Sequence, residues 1–100
     1  MIVIAGTIPI DPTKHAEAAA AVTAMMRDTL AEDGCHAYQF SFAADDPAKL
    51  CIFEEWESQE ALDAHFAMPH MATFMASASS FIVGRADVAK YAVTSKGPVR

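Results

Sequence analysis

Between Cys35 and Glu57 the chain switches to a period of two, and this limits its fold more than any other feature. From Cys35 to Ala43, His36, Tyr38, Phe40 and Phe42 fall on one side and Ala37, Gln39 and Ser41 on the other, the pattern of a half-buried strand with an aromatic face. Asp45-Asp46-Pro47 supplies turn chemistry, and Leu50 to Glu57 alternates again, so the segment is expected to form an antiparallel hairpin. In its second strand Leu50, Ile52, Glu54 and Trp56 share one face, while Cys51, Phe53, Glu55 and Glu57 share the other. A hairpin with apolar groups on both faces needs cover on both.

The flanks supply helices and outer strands. Residues 2 to 8 are rich in isoleucine and valine and stop at Pro9, which predicts a first strand. Asp11 is placed to cap a helix with Pro12 at its first position. From Thr13 to Glu32, Ala19, Val22, Met26 and Leu30 recur at helical spacing as an expected apolar stripe, and Asp33-Gly34 ends the helix. Ser58 is an N-cap for a second helix to about Ala67, with Leu62, His65 and Phe66 expected to point inward. Pro69 breaks that helix, and a further piece from His70 to about Ala78 carries Met71, Phe74 and Met75. Phe81 to Gly84 reads as an irregular linker, Asp87 to Thr94 as the last strand, and residues 95–100 as a loose tail.

The order strand, helix, strand, strand, broken helix, strand predicts an α+β domain over residues 1–100. It is the ferredoxin-like split βαβ arrangement, a four-stranded antiparallel sheet with its helices on one face. The other sheet face is left open. With 53% hydrophobic residues and a mean hydropathy of +0.18, the chain is expected to cover that face with a second copy, as a homodimer.

Charge and cysteine usage exclude several classes. Thirteen acids against seven scattered bases give a net charge of -6, with no basic patch for nucleic acid or an anionic membrane. No apolar run approaches the roughly 18 residues of a membrane span. Cys35 and Cys51 form no Cys-x-x-Cys pair and read as two thiols in a reducing, cytoplasmic setting.

Glu54-x-Trp56-x-Ser58-x-Glu60-Ala61-Leu62-Asp63-x-His65, followed by Pro69-His70, resembles the antibiotic biosynthesis monooxygenase domain of the dimeric α+β barrel superfamily. Gly34-Cys35-x-x-Tyr38 and Asp46-Pro47 fit the same layout. The resemblance implies a pocket between helices and sheet beside the broken helix, and a cofactor-independent oxygenation of an electron-rich aromatic alcohol or quinol. Some catalytic members carry an asparagine near the first strands; this chain contains none, which departs most from the haem-degrading branch.

Such chemistry needs a base, because an ionised phenol gives an electron to oxygen more readily than its neutral form. His65, His70 and Trp56 are the candidate catalytic residues, His65 leading, with histidine suited by its ordinary pKa near 6.5. Tyr38, Phe40, Phe66, Met71 and Phe74 are candidates to line a pocket for a flat aromatic molecule. A metal is not expected: His65 and His70 are five apart across a proline, and neither Glu54 nor Glu55 completes a ligand pattern. The pleat sends Glu54 and Glu55 to opposite faces, so they do not form a convergent pair; of Glu54, Glu55, Glu57 and Glu60, one is expected to bond a histidine or bridge subunits and the others to be solvated. A second function stays open, a non-catalytic barrel that binds a small apolar ligand.

Overall fold

A computed structural model describes residues 1–100. Strand β1 (Ile2–Pro9) leads through a 3-10 turn at Pro12–Lys14 into helix α1 (His15–Leu30). The hairpin follows as β2 (Cys35–Ala43) and β3 (Asp46–Trp56), then α2 (Gln59–Phe66), α3 (Pro69–Ala78) and β4 (Asp87–Ala92). The strands form one antiparallel sheet in the order β2-β3-β1-β4, as the split βαβ reading requires. No helix is long and apolar enough to cross a membrane.

Local chemistry sets the boundaries. Asp11 Oδ1 accepts from the Thr13 N–H at 2.9 Å and from its hydroxyl at 2.7 Å, which holds the Asp11 carboxyl below its ordinary value. Ser58 Oγ accepts from the Ala61 N–H at 3.2 Å and starts α2. Gly34 takes φ +80° and turns the chain from α1 into β2. At Gly6 the requirement is space: a Cβ there would lie 2.1 Å from the Asp87 carbonyl oxygen, so only glycine lets β4 close on β1.

The core lies between the sheet and the helices, around Trp56, Phe81, Ile10, Leu50 and Leu62. The buried stripe of α1 is Ala18, Val22, Met25 and Thr29, one position from the stripe expected around Ala19, Met26 and Leu30. Leu30 is exposed and Met26 only half-buried, because the face of α1 that meets the sheet runs through Met25 and Thr29. His36 likewise leaves the aromatic row of β2: a bulge between Cys35 and Ala37 turns it out to solvent. The 81–84 linker is part of the core, since Phe81 is buried and Ile82 bridges Ile10. β4 ends at Ala92, two residues before its expected end, and beyond it Lys96 Nζ reaches Glu55 at 3.1 Å.

Candidate functional site

The sheet register sets out the site before any side-chain detail is needed. Tyr38 pairs with Glu54, Glu54 with Ile4, and Ile4 with Lys90, so these four residues form one row across all four strands. The row lies on the helix side, because the period of two gives Glu54 the same face as Leu50 and Trp56, both in the core. A carboxylate is thereby placed at mid-sheet under α2. Glu54 is 5% exposed, and burial pushes its carboxyl above the ordinary value, opposed by the Trp56 indole N–H, which donates to Glu54 Oε1 at 2.8 Å.

Glu54 forms part of the floor of a hollow of about 350 Å³ between α2 and strands β1 and β4. Ile4, Leu62, Phe66 and Val88 supply apolar walls, and Gln59 and Lys90 stand in the lining with Lys90 Nζ donating to Gln59 Oε1 at 2.9 Å. A mostly apolar recess with a few convergent polar groups is what a small-molecule site requires.

Behind Glu54 the polar groups continue into the core. The Trp56 ring lies 4.8 Å from that of His65, which is 1% exposed and also meets Tyr38 at 5.5 Å. His65 Nδ1 lies 2.7 Å from Glu32 Oε2, and His70 Nε2 lies 2.7 Å from the same oxygen. A carboxylate oxygen can only accept, so both ring nitrogens carry their hydrogen toward Glu32. In a neutral ring this leaves His65 Nε2 as a lone pair, and that atom is buried without a partner.

The candidate residues are divided among three places. His65, Trp56, Tyr38 and Phe40 are buried, and burial together with the Glu54 charge pushes the Tyr38 hydroxyl far up. Phe66 does not point inward: it is exposed and lines the hollow above Glu54. The core side of α2 is taken by Leu62 and His65, and Phe66, one position on, falls at the edge of that stripe. His70 and Phe74 instead line a smaller hollow of about 160 Å³ between α1 and α3, and Met71 packs half-buried against the core. His65 lines neither hollow and lies between them.

Sequence reasoning missed two carboxylates. The histidine partner is Glu32, not Glu54 or Glu55; Glu55 pairs with Lys96 instead, and Glu54 is buried rather than solvated. The one local signal for Glu32 is its position just past the end of α1, where the negative end of the helix dipole disfavours an acid and a partner must come from elsewhere. Cys35 and Cys51 are free thiols, and burial followed by the Glu32 and Glu54 charges pushes Cys35 up to about 11, which leaves it protonated and unreactive.

Comparison with known proteins agrees with the resemblance read from the sequence. The profile of the antibiotic biosynthesis monooxygenase family matches residues 1–77. Rv0793 of Mycobacterium tuberculosis, named as a candidate monooxygenase, is 35% identical over 71 residues, covering 71% of this chain and 69% of that protein. The solved structure of Rv0793 superposes with a TM-score of 0.87 over 97% of this chain and 98% of its own, at 27% identity. An uncharacterised Synechocystis protein, sll1783, is 28% identical over 92% of this chain, which spans 63% of that protein's length. A Deinococcus radiodurans structure, a candidate antibiotic biosynthesis monooxygenase at 20% identity, shares the fold with a TM-score of 0.88 over 100% of this chain and 99% of its own.

Proposed function

The chain belongs to the antibiotic biosynthesis monooxygenase family, and from that premise we propose that the hollow beneath α2 oxidises an electron-rich aromatic alcohol with molecular oxygen, without a bound cofactor. The observation that carries this reading is Glu54, a buried carboxyl group with a raised pKa in the lining of an otherwise apolar recess. A general base works best when its pKa is drawn toward the working pH, and burial draws Glu54 that way.

The reaction balances with the substrate as the only reductant. Glu54 takes the hydroxyl proton of a phenol whose para carbon bears hydrogen. The phenolate passes one electron to oxygen, and the resulting pair joins by a new C–O bond at the para carbon. The peroxide then breaks its O–O bond with loss of the para hydrogen, giving a quinone and one water. The chain's part is to accept the first proton, to hold the ring flat between Leu62 and Phe66, and to exclude water from the adduct. Trp56 fixes the carboxylate by its N–H. His65 and Glu32 stand behind Trp56 and hold it against the sheet as positioning residues.

Oxygen uptake tests the reading. With chelator present, the protein is expected to consume oxygen and release quinone from 1-naphthols or hydroxylated polycyclic aromatics faster than buffer does. Rates equal to buffer across such a panel would remove it.

The open sheet face is proposed to meet a second copy. Phe53 and Tyr91 stand 42% and 52% exposed there, beside Val3 and Ala5, so that apolar side chains from three neighbouring strands share the uncovered face. Light scattering is expected to give roughly twice the 10.7 kDa chain mass, and Phe53→Glu to halve it. A monomeric parent protein would remove this part alone.

A further inference from the structure

Five positions with a proline between them keep His65 and His70 off one helical face, and from sequence they lack a third ligand. The fold brings one from 33 residues upstream of His65. Glu32 leaves the end of α1 and meets His65 from α2 and His70 from the first turn of α3. Its Oε2 is 2.7 Å from each imidazole nitrogen, and the three ligand atoms all lie within 4.8 Å of one another. We propose that Glu32, His65 and His70 form a binding site for one divalent first-row transition ion.

Three observations support this site beyond the cluster itself. Glu32 Oε1 is buried and has no hydrogen-bond partner, so the carboxylate holds a second donor oxygen in reserve. His70 lines the 160 Å³ hollow between α1 and α3, so one of the three ligands borders open space. The Glu32 and His65 side chains are 4% and 1% exposed, so the ligands are held in a low-dielectric setting where a cation and a carboxylate attract strongly. Two imidazoles and a carboxylate suit zinc, iron or cobalt; calcium and magnesium prefer all-oxygen shells.

Binding has a geometric consequence. Ligand bonds of about 2.0–2.1 Å in a tetrahedral shell put neighbouring donor atoms about 3.3 Å apart, so both Glu32–imidazole contacts must open from their 2.7 Å hydrogen-bonded separation. His70, 19% exposed at the start of α3, is the ligand with space to move. The ion replaces two hydrogens as the bridge and ties the end of α1, α2 and the start of α3 together. Trp56 and the His65 ring separate this site from the hollow above Glu54, so the proposal stands or falls independently of the oxygenase reading.

The test is titration of the chelator-treated protein with Co²⁺, followed by visible absorption, and then displacement by Zn²⁺. One Co²⁺ per chain with ligand-field bands of low coordination number is expected. A hundredfold excess of Zn²⁺ over Kd should raise Tm by roughly 10–20 °C. Glu32→Gln, which keeps one acceptor oxygen, and His70→Gln are each expected to weaken binding by at least about 100-fold. His36→Gln, at an exposed residue, should leave binding unchanged. No cobalt spectrum and no Tm shift at millimolar ion would overturn the proposal. So would binding that survives His70→Gln, the variant least able to disturb the fold.

Discussion

Glu54→Gln is expected to lower the rate of aromatic alcohol oxidation by about 100-fold or more while leaving the protein as stable as its parent, or more so, at neutral and alkaline pH. The kinetic part follows from removing a positioned base, typically worth about 10²- to 10⁴-fold. The stability part follows from linkage. The Glu54 carboxyl lies above its ordinary 4.5 in the folded chain, so the folded state holds this proton more tightly than the unfolded state does. Its contribution to stability is therefore fully present below the ordinary value and is lost as pH rises through the folded value. Glutamine cannot ionise, and its amide oxygen still accepts from Trp56, so the variant escapes that loss. In the parent, activity should rise with pH as Glu54 ionises, and this acid limb should vanish in the variant. Melting curves at pH 5 and pH 8 and a pH–rate profile check both halves. A variant that loses stability at pH 8 would show that the carboxylate is there for structure.

The second large effect falls at Glu32. Glu32→Ala leaves the Nδ1–H of His65 buried with no acceptor and the Nε2–H of His70 unpaired, each unsatisfied donor costing about 1–3 kcal/mol. A net loss of about 2–4 kcal/mol is expected, read as a fall in Tm of roughly 10–25 °C for a chain of this size. Glu32→Gln keeps one acceptor and should lose about half as much. A Tm within a degree or two of the parent for Glu32→Ala would mean that the histidines find other partners and that the cluster does not hold the three helices together.

These two residues mark where sequence reading stops. The alternation in β2 and β3, the Ser58 cap, the Pro69 break and the turn at Gly34 are all local, and local chemistry is visible in order along the chain. The four-stranded order follows from them because few topologies join such elements. The phase of α1 is less legible: an alanine-rich helix offers two nearly equivalent apolar stripes one position apart, and only packing against the sheet selects the one through Ala18, Val22, Met25 and Thr29. The bulge that turns His36 outward is hidden in the same way.

The site is harder still, because its parts meet only through the fold. The pattern from Glu54 to His70 identifies the family and marks Trp56, His65 and His70 as a group. It cannot say that Glu32 joins the two histidines from the far end of α1. Nor can it say that Ile4 and Lys90 complete the row through Glu54, since that depends on the register of β1 and β4. Adjacent acids at 54 and 55 look alike on paper. Once the hairpin forms, one is buried beside an indole and the other pairs with a lysine on the opposite face.

The central claim is that the hollow under α2 receives the aromatic alcohol and that Glu54 meets its hydroxyl. A crystal structure of the protein grown without oxygen in the presence of a 1-naphthol tests it most directly. The ring is expected between Leu62 and Phe66, with its hydroxyl oxygen within hydrogen-bonding distance of Glu54. A ring found instead between α1 and α3 against His70, with the space above Glu54 holding only water, would contradict it.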